Sequence, residues 1–324
     1  MRFPTGQVRW GIIGCGDVCE VKSGPALQKA GRSTVSAVMR RDGGKAQDFA
    51  RRHGIGRWYD DAEALIADPD VDAVYVATPP DSHEVYALSA MAAGKPVYCE
   101  KPMALTVAAC DRMARASEET GLPLITAYYR RSLPRFEKMR ELIQTGSIGQ
   151  PRTVLAQQWR RRTDLPIAGW RLDPSISGGG HFADAYPHVL DWLDHVFGPA
   201  HSVQAVTRNQ SGACEAEDLV SFLIDQNRVM VTGLCSYAAD RTGDRVTVAG
   251  SEGTVSMPFF GPAPVRLERG EEVTLIDLPD PPHVHQPFVE QVIACLLDSG
   301  PNPCDPATAT RSIRTMQMIY GRPG

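Results

Sequence analysis

No stretch of this 324-residue chain approaches the ~18 consecutive apolar residues that a membrane-spanning helix needs. Net charge is scarce as well. Its 38 acidic side chains stand against 34 basic ones, for a formal charge of −4. With neither a basic surplus nor a basic run, the chain has no electrostatic footprint for nucleic acid. The cysteines at 15, 19, 99, 110, 214, 235, 295 and 304 form no CxxC pair. They read as buried reduced thiols rather than as a disulfide or zinc framework. HExxH, Cys₂His₂ and clustered carboxylates are missing, so no metal is expected, and His283 and His285 read as loop residues rather than metal ligands. Neither a GxSxG elbow nor a P-loop occurs. Residues 1–11 carry no apolar core before a cleavage site, so a cytoplasmic location is expected rather than secretion.

What is present is an ordinary globular composition, 43% hydrophobic and 22% charged, over a length that suits two domains. Through about residue 127, strand patterns at 8–13, 34–39, 73–76, 97–99 and 124–127 alternate with helical ones at 25–30, 45–53, 62–67, 82–93 and 106–120. The helix at 25–30 reads as the continuation of one begun after the first glycines, and Ser82 reads as a helix cap. That alternation predicts parallel βαβ units with right-handed connections. The pattern changes after residue 130. A helix at 134–145, a strand at 152–159, a glycine run at 178–180 and a helix to 197 precede seven short, closely spaced strands. Gly250 and Gly253 bracket a hairpin among them, and two helices follow. The expected fold class is α/β, an N-terminal Rossmann doubly wound parallel sheet over 1–125. A C-terminal α+β domain with a large open mixed or antiparallel sheet follows over 126–324, its final helix a candidate to pack back on the first domain.

Gly14-Cys15-Gly16-Asp17-Val18-Cys19 lies between the first strand and the first helix. The first glycine of such a turn allows the sharp reversal, the second lets backbone approach a pyrophosphate, and the third position needs only a small side chain, which Cys19 supplies. Dinucleotide binding is the reading. The second strand ends Met39-Arg40-Arg41-Asp42, with Arg40 24 residues past Gly16, where an NAD site usually carries an acid. Two guanidinium groups suit a 2′-phosphate, which favours NADP(H) over NAD(H). Asp42 is the competing acid.

Three further motifs join this turn: Glu100-Lys101-Pro102 closing AGKPVYCEKP, the segment Gly178–Gly179–Gly180–His181–Phe182–Ala183–Asp184–Ala185–Tyr186–Pro187–His188, and the hairpin at 248–255. Together they resemble the Gfo/Idh/MocA oxidoreductase family over nearly the whole chain. The resemblance implies NAD(P)-dependent oxidation or reduction of a small sugar or polyol, and a homo-oligomer, dimer or tetramer, built through the C-terminal sheet. It implies Lys101, Asp184 and His188 as catalytic residues, with Thr78, Pro79, His83 and Glu100 lining the cofactor beside the glycine turn. Tyr129, Trp170 and Arg171 join the catalytic residues as substrate contacts, with a contact to nicotinamide or a packing role open for Trp170 and Arg171, and the resemblance makes a cis Lys101–Pro102 peptide as expected as a trans one. Three positions depart from the family pattern. Tyr129 stands where many relatives have asparagine, Tyr186 where many have glycine, and Cys19 replaces a glycine or alanine. Two other outcomes on the same scaffold are an NAD-dependent glycoside hydrolase and a non-catalytic nucleotide-sensing regulator.

Oxidising a carbinol requires a proton carrier at oxygen that titrates near neutrality. Imidazole is closest to that range. An ammonium reaches it only when burial lowers it, or else serves as a fixed cation. His188 and Lys101 are therefore the proton carriers expected, with Asp184 orienting the imidazole from four residues away on one helix that starts near Asp184. Asp191 and His195 continue the stripe and read as a solvated face.

Overall fold

The computed structural model describes residue 3 and residues 5–166, 169–298 and 300–322. It divides into two compact units, Met1–Arg130 with Pro281–Thr310, and Arg131–Asp280 with Arg311–Gly324. The recruitment of 281–310 by the first unit has no marker in the composition near residue 130.

The first unit holds β1 (Val8–Ile13), α1 (Asp17–Val21), α2 (Ser23–Lys29), β2 (Ser33–Met39), α3 (Gly43–His53), β3 (Arg57–Tyr59), α4 (Ala62–Ala67), β4 (Ala73–Val76), α5 (His83–Ala92), β5 (Val97–Cys99), α6 (Val107–Thr120) and β6 (Leu124–Thr126). Its six strands pair in parallel in the order β3-β2-β1-β4-β5-β6. This is a Rossmann arrangement, whose order reverses between β1 and β4. Every residue of β4 and β5 is buried, as expected of strands covered on both faces.

Two local expectations change. The helix after the glycine turn is interrupted at Lys22, because Pro25 lacks the amide hydrogen that the Val21 carbonyl would accept. Ser82 does not cap α5. Its hydroxyl lies 2.8 Å from the Thr78 hydroxyl and donates to the Pro79 carbonyl at 2.9 Å, within a 3₁₀ turn over Pro80–Ser82.

The second unit opens with α7 (Pro134–Gln144), β7 (Pro151–Arg161), α8 (Pro174–Ser177), α9 (His181–Ala185) and α10 (Pro187–Phe197). Seven strands follow: β8 (Ser202–Arg208), β9 (Leu219–Gln226), β10 (Val229–Ala239), β11 (Gly243–Gly250), β12 (Thr254–Met257), β13 (Val265–Arg269) and β14 (Glu272–Ile276). They join β7 in an eight-stranded mixed sheet, β14-β13-β12-β11-β7-β10-β9-β8, in which β7 runs parallel to β10 and antiparallel to β11. Burial alternates along β10, so one face is packed and the other is open. On the packed face, Phe222 of β9 meets the rings of Phe182 and Tyr186. Of the remaining helices, α11 (Gln286–Asp298) lies in the first unit, whereas α12 (Pro306–Ile319) begins in the first and ends in the second.

The stripe beyond His188 is not a solvated face. Asp191 is buried and accepts two hydrogen bonds from Arg131, at 2.8 and 2.6 Å, while buried Asp194 pairs with Arg311. His195 is half-buried, which lowers its pKa to about 4, with Arg131 and Arg140 adding to the shift.

Candidate active site

The first unit carries its candidate site residues at the carboxyl ends of β1, β2, β4 and β5, on one edge of the sheet. Gly14 adopts φ +91°, and a side chain there would lie 2.7 Å from Thr78 Cγ2 and 2.8 Å from the Thr78 backbone nitrogen. Only glycine allows that close packing. At Gly16 the nearest atom to an added Cβ is 3.9 Å away, so the protein itself leaves room there. A cradle that backbone forms and no side chain fills suits a pyrophosphate. Asp17 is exposed and Val18 half-buried at the start of α1. Cys15 is fully buried, and burial raises its thiol pKa to about 11 against the opposing charge of Arg40.

Arg40 immediately follows β2 and is half-exposed, while Arg41 is exposed. No carboxylate among the described residues pairs with either. Asp42 is already engaged: it caps α3 by accepting from the Lys45 amide, and its carboxylate pairs with the Lys45 ammonium.

At the end of β4, Thr78 and Pro79 are half-buried and open the loop to α5. His83 is fully buried, with Nε2 and Nδ1 each 2.8 Å from a carbonyl oxygen, of Thr78 and Pro102 respectively. Burial lowers its pKa, and those two carbonyls oppose the shift. His83 thus ties the β4 loop to the turn after Lys101. Glu100 is likewise enclosed, accepting from the Tyr75 hydroxyl at 2.6 Å and from the Lys101 amide at 3.1 Å, and burial raises its pKa. Both residues position the Glu-Lys-Pro turn. Its Lys101–Pro102 peptide is cis, and Lys101 is half-exposed. Tyr129 is buried and stacks on His285, ring centroids 4.0 Å apart. Burial, with the charges of Lys22, Arg130 and Lys101, lowers the His285 pKa to about 3.

In the second unit, Asp184 and His188 occupy different helices rather than one. Pro187 cannot supply the amide hydrogen that would carry α9 onward, and it instead takes the first position of α10, where that hydrogen is not needed. Asp184 accepts from Arg171 Nε at 2.9 Å, and the Arg171 guanidinium lies 4.3 Å from the Trp170 ring. His188 is buried. Tyr186 is fully enclosed, with its ring stacked on Phe182 and its hydroxyl engaged with Cys235, so the extra phenol serves the core.

Sequence reading missed Glu217. Its carboxylate accepts from the Gly180 amide at 2.9 and 3.1 Å and from the Tyr320 hydroxyl at 2.6 Å, and so fixes the start of α9. Side chains at Gly179 or Gly180 would strike Tyr320 or the Glu217 backbone, which explains the glycine run. No local pattern marks a carboxylate 37 residues from the amide it holds. Among the described residues, no group of three or more His, Cys, Asp or Glu could hold a metal, and no helix is long and apolar enough to cross a membrane.

Residues 8–128 match the model of an oxidoreductase family with an NAD-binding Rossmann fold, and residues 136–256 match the GFO/IDH/MocA C-terminal domain. Oxidoreductase P35 of Formosa agariphila is 36% identical over 324 aligned positions, covering 97% of this chain and 99% of that protein. Inositol 2-dehydrogenase of Acidothermus cellulolyticus is 32% identical, covering 82% of this chain and 77% of the other. Aldose-aldose oxidoreductase from Caulobacter crescentus, crystallised with glycerol, has the same fold. Its TM-score is 0.87 at 24% identity, with 97% of each chain covered. The chain belongs to the Gfo/Idh/MocA family of oxidoreductases, and its first unit is the family's NAD(P)-binding Rossmann domain.

Proposed function

We infer that this oxidoreductase interconverts a secondary alcohol and a carbonyl on a sugar or polyol, and that it prefers NADP(H) to NAD(H). The observation that carries this reading is the convergence of the glycine turn and the Glu-Lys-Pro turn on one edge of the parallel sheet, at the ends of strands flanking its reversal point. The substrate class rests on relatives such as the inositol dehydrogenase. When bound, the dinucleotide would take up or release hydride at its nicotinamide.

The backbone at Gly14, Cys15 and Gly16 would receive the pyrophosphate, with Asp17, Val18, Thr78 and Pro79 around it. Arg40 and Arg41, unpaired with any carboxylate among the described residues, would hold a 2′-phosphate. Lys101 Nζ would donate to the substrate oxygen, and the His188 imidazole would hold or release the proton that oxygen exchanges. Asp184, fixed by Arg171, would bind a neighbouring hydroxyl, and Tyr129 and Trp170 would flank the substrate. His83 and Glu100 act through the turn they support.

The open face of the eight-stranded sheet exposes Leu155, Val206, Leu223, Met230 and Leu234 on β7 to β10. An apolar patch of that kind suits a second copy of the chain. Introducing glutamate at Leu223 and measuring solution mass would test this, and an unchanged mass would overturn it.

The functional test is nicotinamide absorbance on incubating the protein with NAD or NADP and a panel of sugars and polyols. Cofactor reduction with one chemical class supports the reading. Silence across the panel sinks it, and sugar release without net cofactor turnover would indicate a hydrolase instead.

A further inference from the structure

Beyond Gln158, strand β7 carries Arg160 on the same face of the sheet, since alternate residues share a face. Gln158 accepts from the Tyr237 hydroxyl at 2.7 Å, and the Tyr237 ring lies 5.7 Å from that of His181. His181 opens α9 and shares its single turn with Asp184. Arg160, Arg162 and Arg171 all lie close enough to His181 to push its pKa down, adding to the larger effect of burial. Asp184 is the carboxylate that opposes them.

Three guanidinium groups face two carboxylates here, Asp184 and the Glu217 that holds the Gly180 amide beside His181, so the balance is locally positive in a chain that is negative overall. Arg171 is spent on Asp184. Among the described residues, the Arg162 guanidinium reaches only the Pro166 carbonyl, at 3.4 Å. Arg160 forms no ion pair and no hydrogen bond among the described residues, although its Nε is buried. His181 Nε2 is buried without a partner as well. Buried donors are satisfied almost everywhere in folded proteins, so two orphaned groups in one cationic corner, beside a candidate catalytic carboxylate, mark the place of a ligand group.

We propose that Arg160 and His181 form an oxyanion subsite, so that the substrate of this enzyme is an acidic sugar or polyol derivative, bearing a carboxylate or a phosphate, rather than a neutral one. The guanidinium offers Nε and a terminal nitrogen as a planar fork that fits either oxyanion. The imidazole supplies a further donor once the anion's charge offsets the arginines. This assignment rests on the oxidoreductase reading of the same unit and narrows its substrate class.

The test uses the purified full chain with NAD or NADP and matched sets of substrates: hexoses and inositol, the corresponding uronates and aldonates, and hexose phosphates. An acidic set is expected to exceed its neutral counterparts in kcat/KM by about tenfold to a hundredfold, the range of a hydrogen bond to a charged group. Preference for uronates or for phosphates identifies which oxyanion is read. Arg160→Gln should erase the preference mainly through KM, and Arg160→Lys should restore part of it, with far-UV dichroism checking that both variants fold. Equal turnover of neutral and acidic sets would overturn the subsite while leaving the oxidoreductase reading intact. Should no sugar reduce either cofactor, calorimetric titration of gluconate, glucuronate and inorganic phosphate into the protein decides the matter. Binding lost in Arg160→Gln supports the subsite, and no binding to the wild type overturns it.

Discussion

Each of the two units builds its candidate site residues in its own way. In the first, the working parts are mostly backbone: a glycine turn with positive φ, the Glu-Lys-Pro turn, and strand ends brought to one edge by parallel pairing. Its supporting side chains, His83 and Glu100, are enclosed and bonded to main-chain atoms, Glu100 to the Tyr75 hydroxyl as well. In the second, the candidate parts are side chains drawn from β7, the turn before α8, α9, α10 and β10, and Glu217 fixes the start of α9. A surface that contacts a constant cofactor is well served by backbone geometry, which changes little with side-chain substitution. A surface that reads a substrate needs side chains, which can be exchanged without rebuilding the fold.

Substitutions on either side sharpen the contrast. The largest effect is expected at Lys101, where Lys101→Met should lower turnover about 10²- to 10⁴-fold while cofactor affinity stays within an order of magnitude. Retention of more than about a tenth of the rate would remove Lys101 from the chemistry. In the second unit, Arg131→Met strands the buried Asp191 carboxylate and should cost about 3–5 kcal/mol of stability, read from denaturant unfolding.

The glycine turn offers a paired test. Gly14→Ala meets both positive φ and the Thr78 backbone, and should destabilise the protein by about 1–3 kcal/mol. Gly16→Ala has room in the free protein, so its stability should stay within about 0.5 kcal/mol of wild type while dinucleotide affinity falls. Equal stability losses in the two variants would mean that Gly16 serves packing rather than the cofactor. Arg40→Asp should swing the ratio of NADPH to NADH dissociation constants by at least about tenfold, since it removes a phosphate partner and adds a like charge. An unchanged ratio, or a wild-type preference for NADH, removes the NADP assignment.

The smallest effect is on acid stability. His195 and His285 favour the neutral form when folded, with pKa values lowered from 6.5 to about 4 and about 3. Below pH 6.5 the unfolded chain therefore binds more protons than the folded one, and stability falls as pH drops toward those values. His195→Gln should flatten the fall in thermal midpoint over that window, and an identical slope would mean that the acid sensitivity arises elsewhere.

Local sequence was sufficient wherever one element and its neighbours decide the outcome. Strands such as 73–76 and 97–99 were legible as continuous apolar runs, the hairpin at Gly250 and Gly253 by its turn residues, and the cofactor edge by glycines whose freedom no other residue has. The sequence also carried the Lys101, Asp184 and His188 motifs. It did not disclose that Asp184 and His188 lie on separate helices, because the break depends on which turn accepts Pro187. Nor did it disclose that Asp191 is a buried ion-pair partner, because Arg131 lies 60 residues away. The Glu217–Gly180–Tyr320 anchor and the Arg160–His181 corner have the same character. Each joins groups that are distant in the chain, and its chemistry arises from burial and from neighbours that only folding supplies. Periodicity records which face of an element is covered, but the tertiary structure alone decides which polar group meets which, and which is left waiting for a ligand.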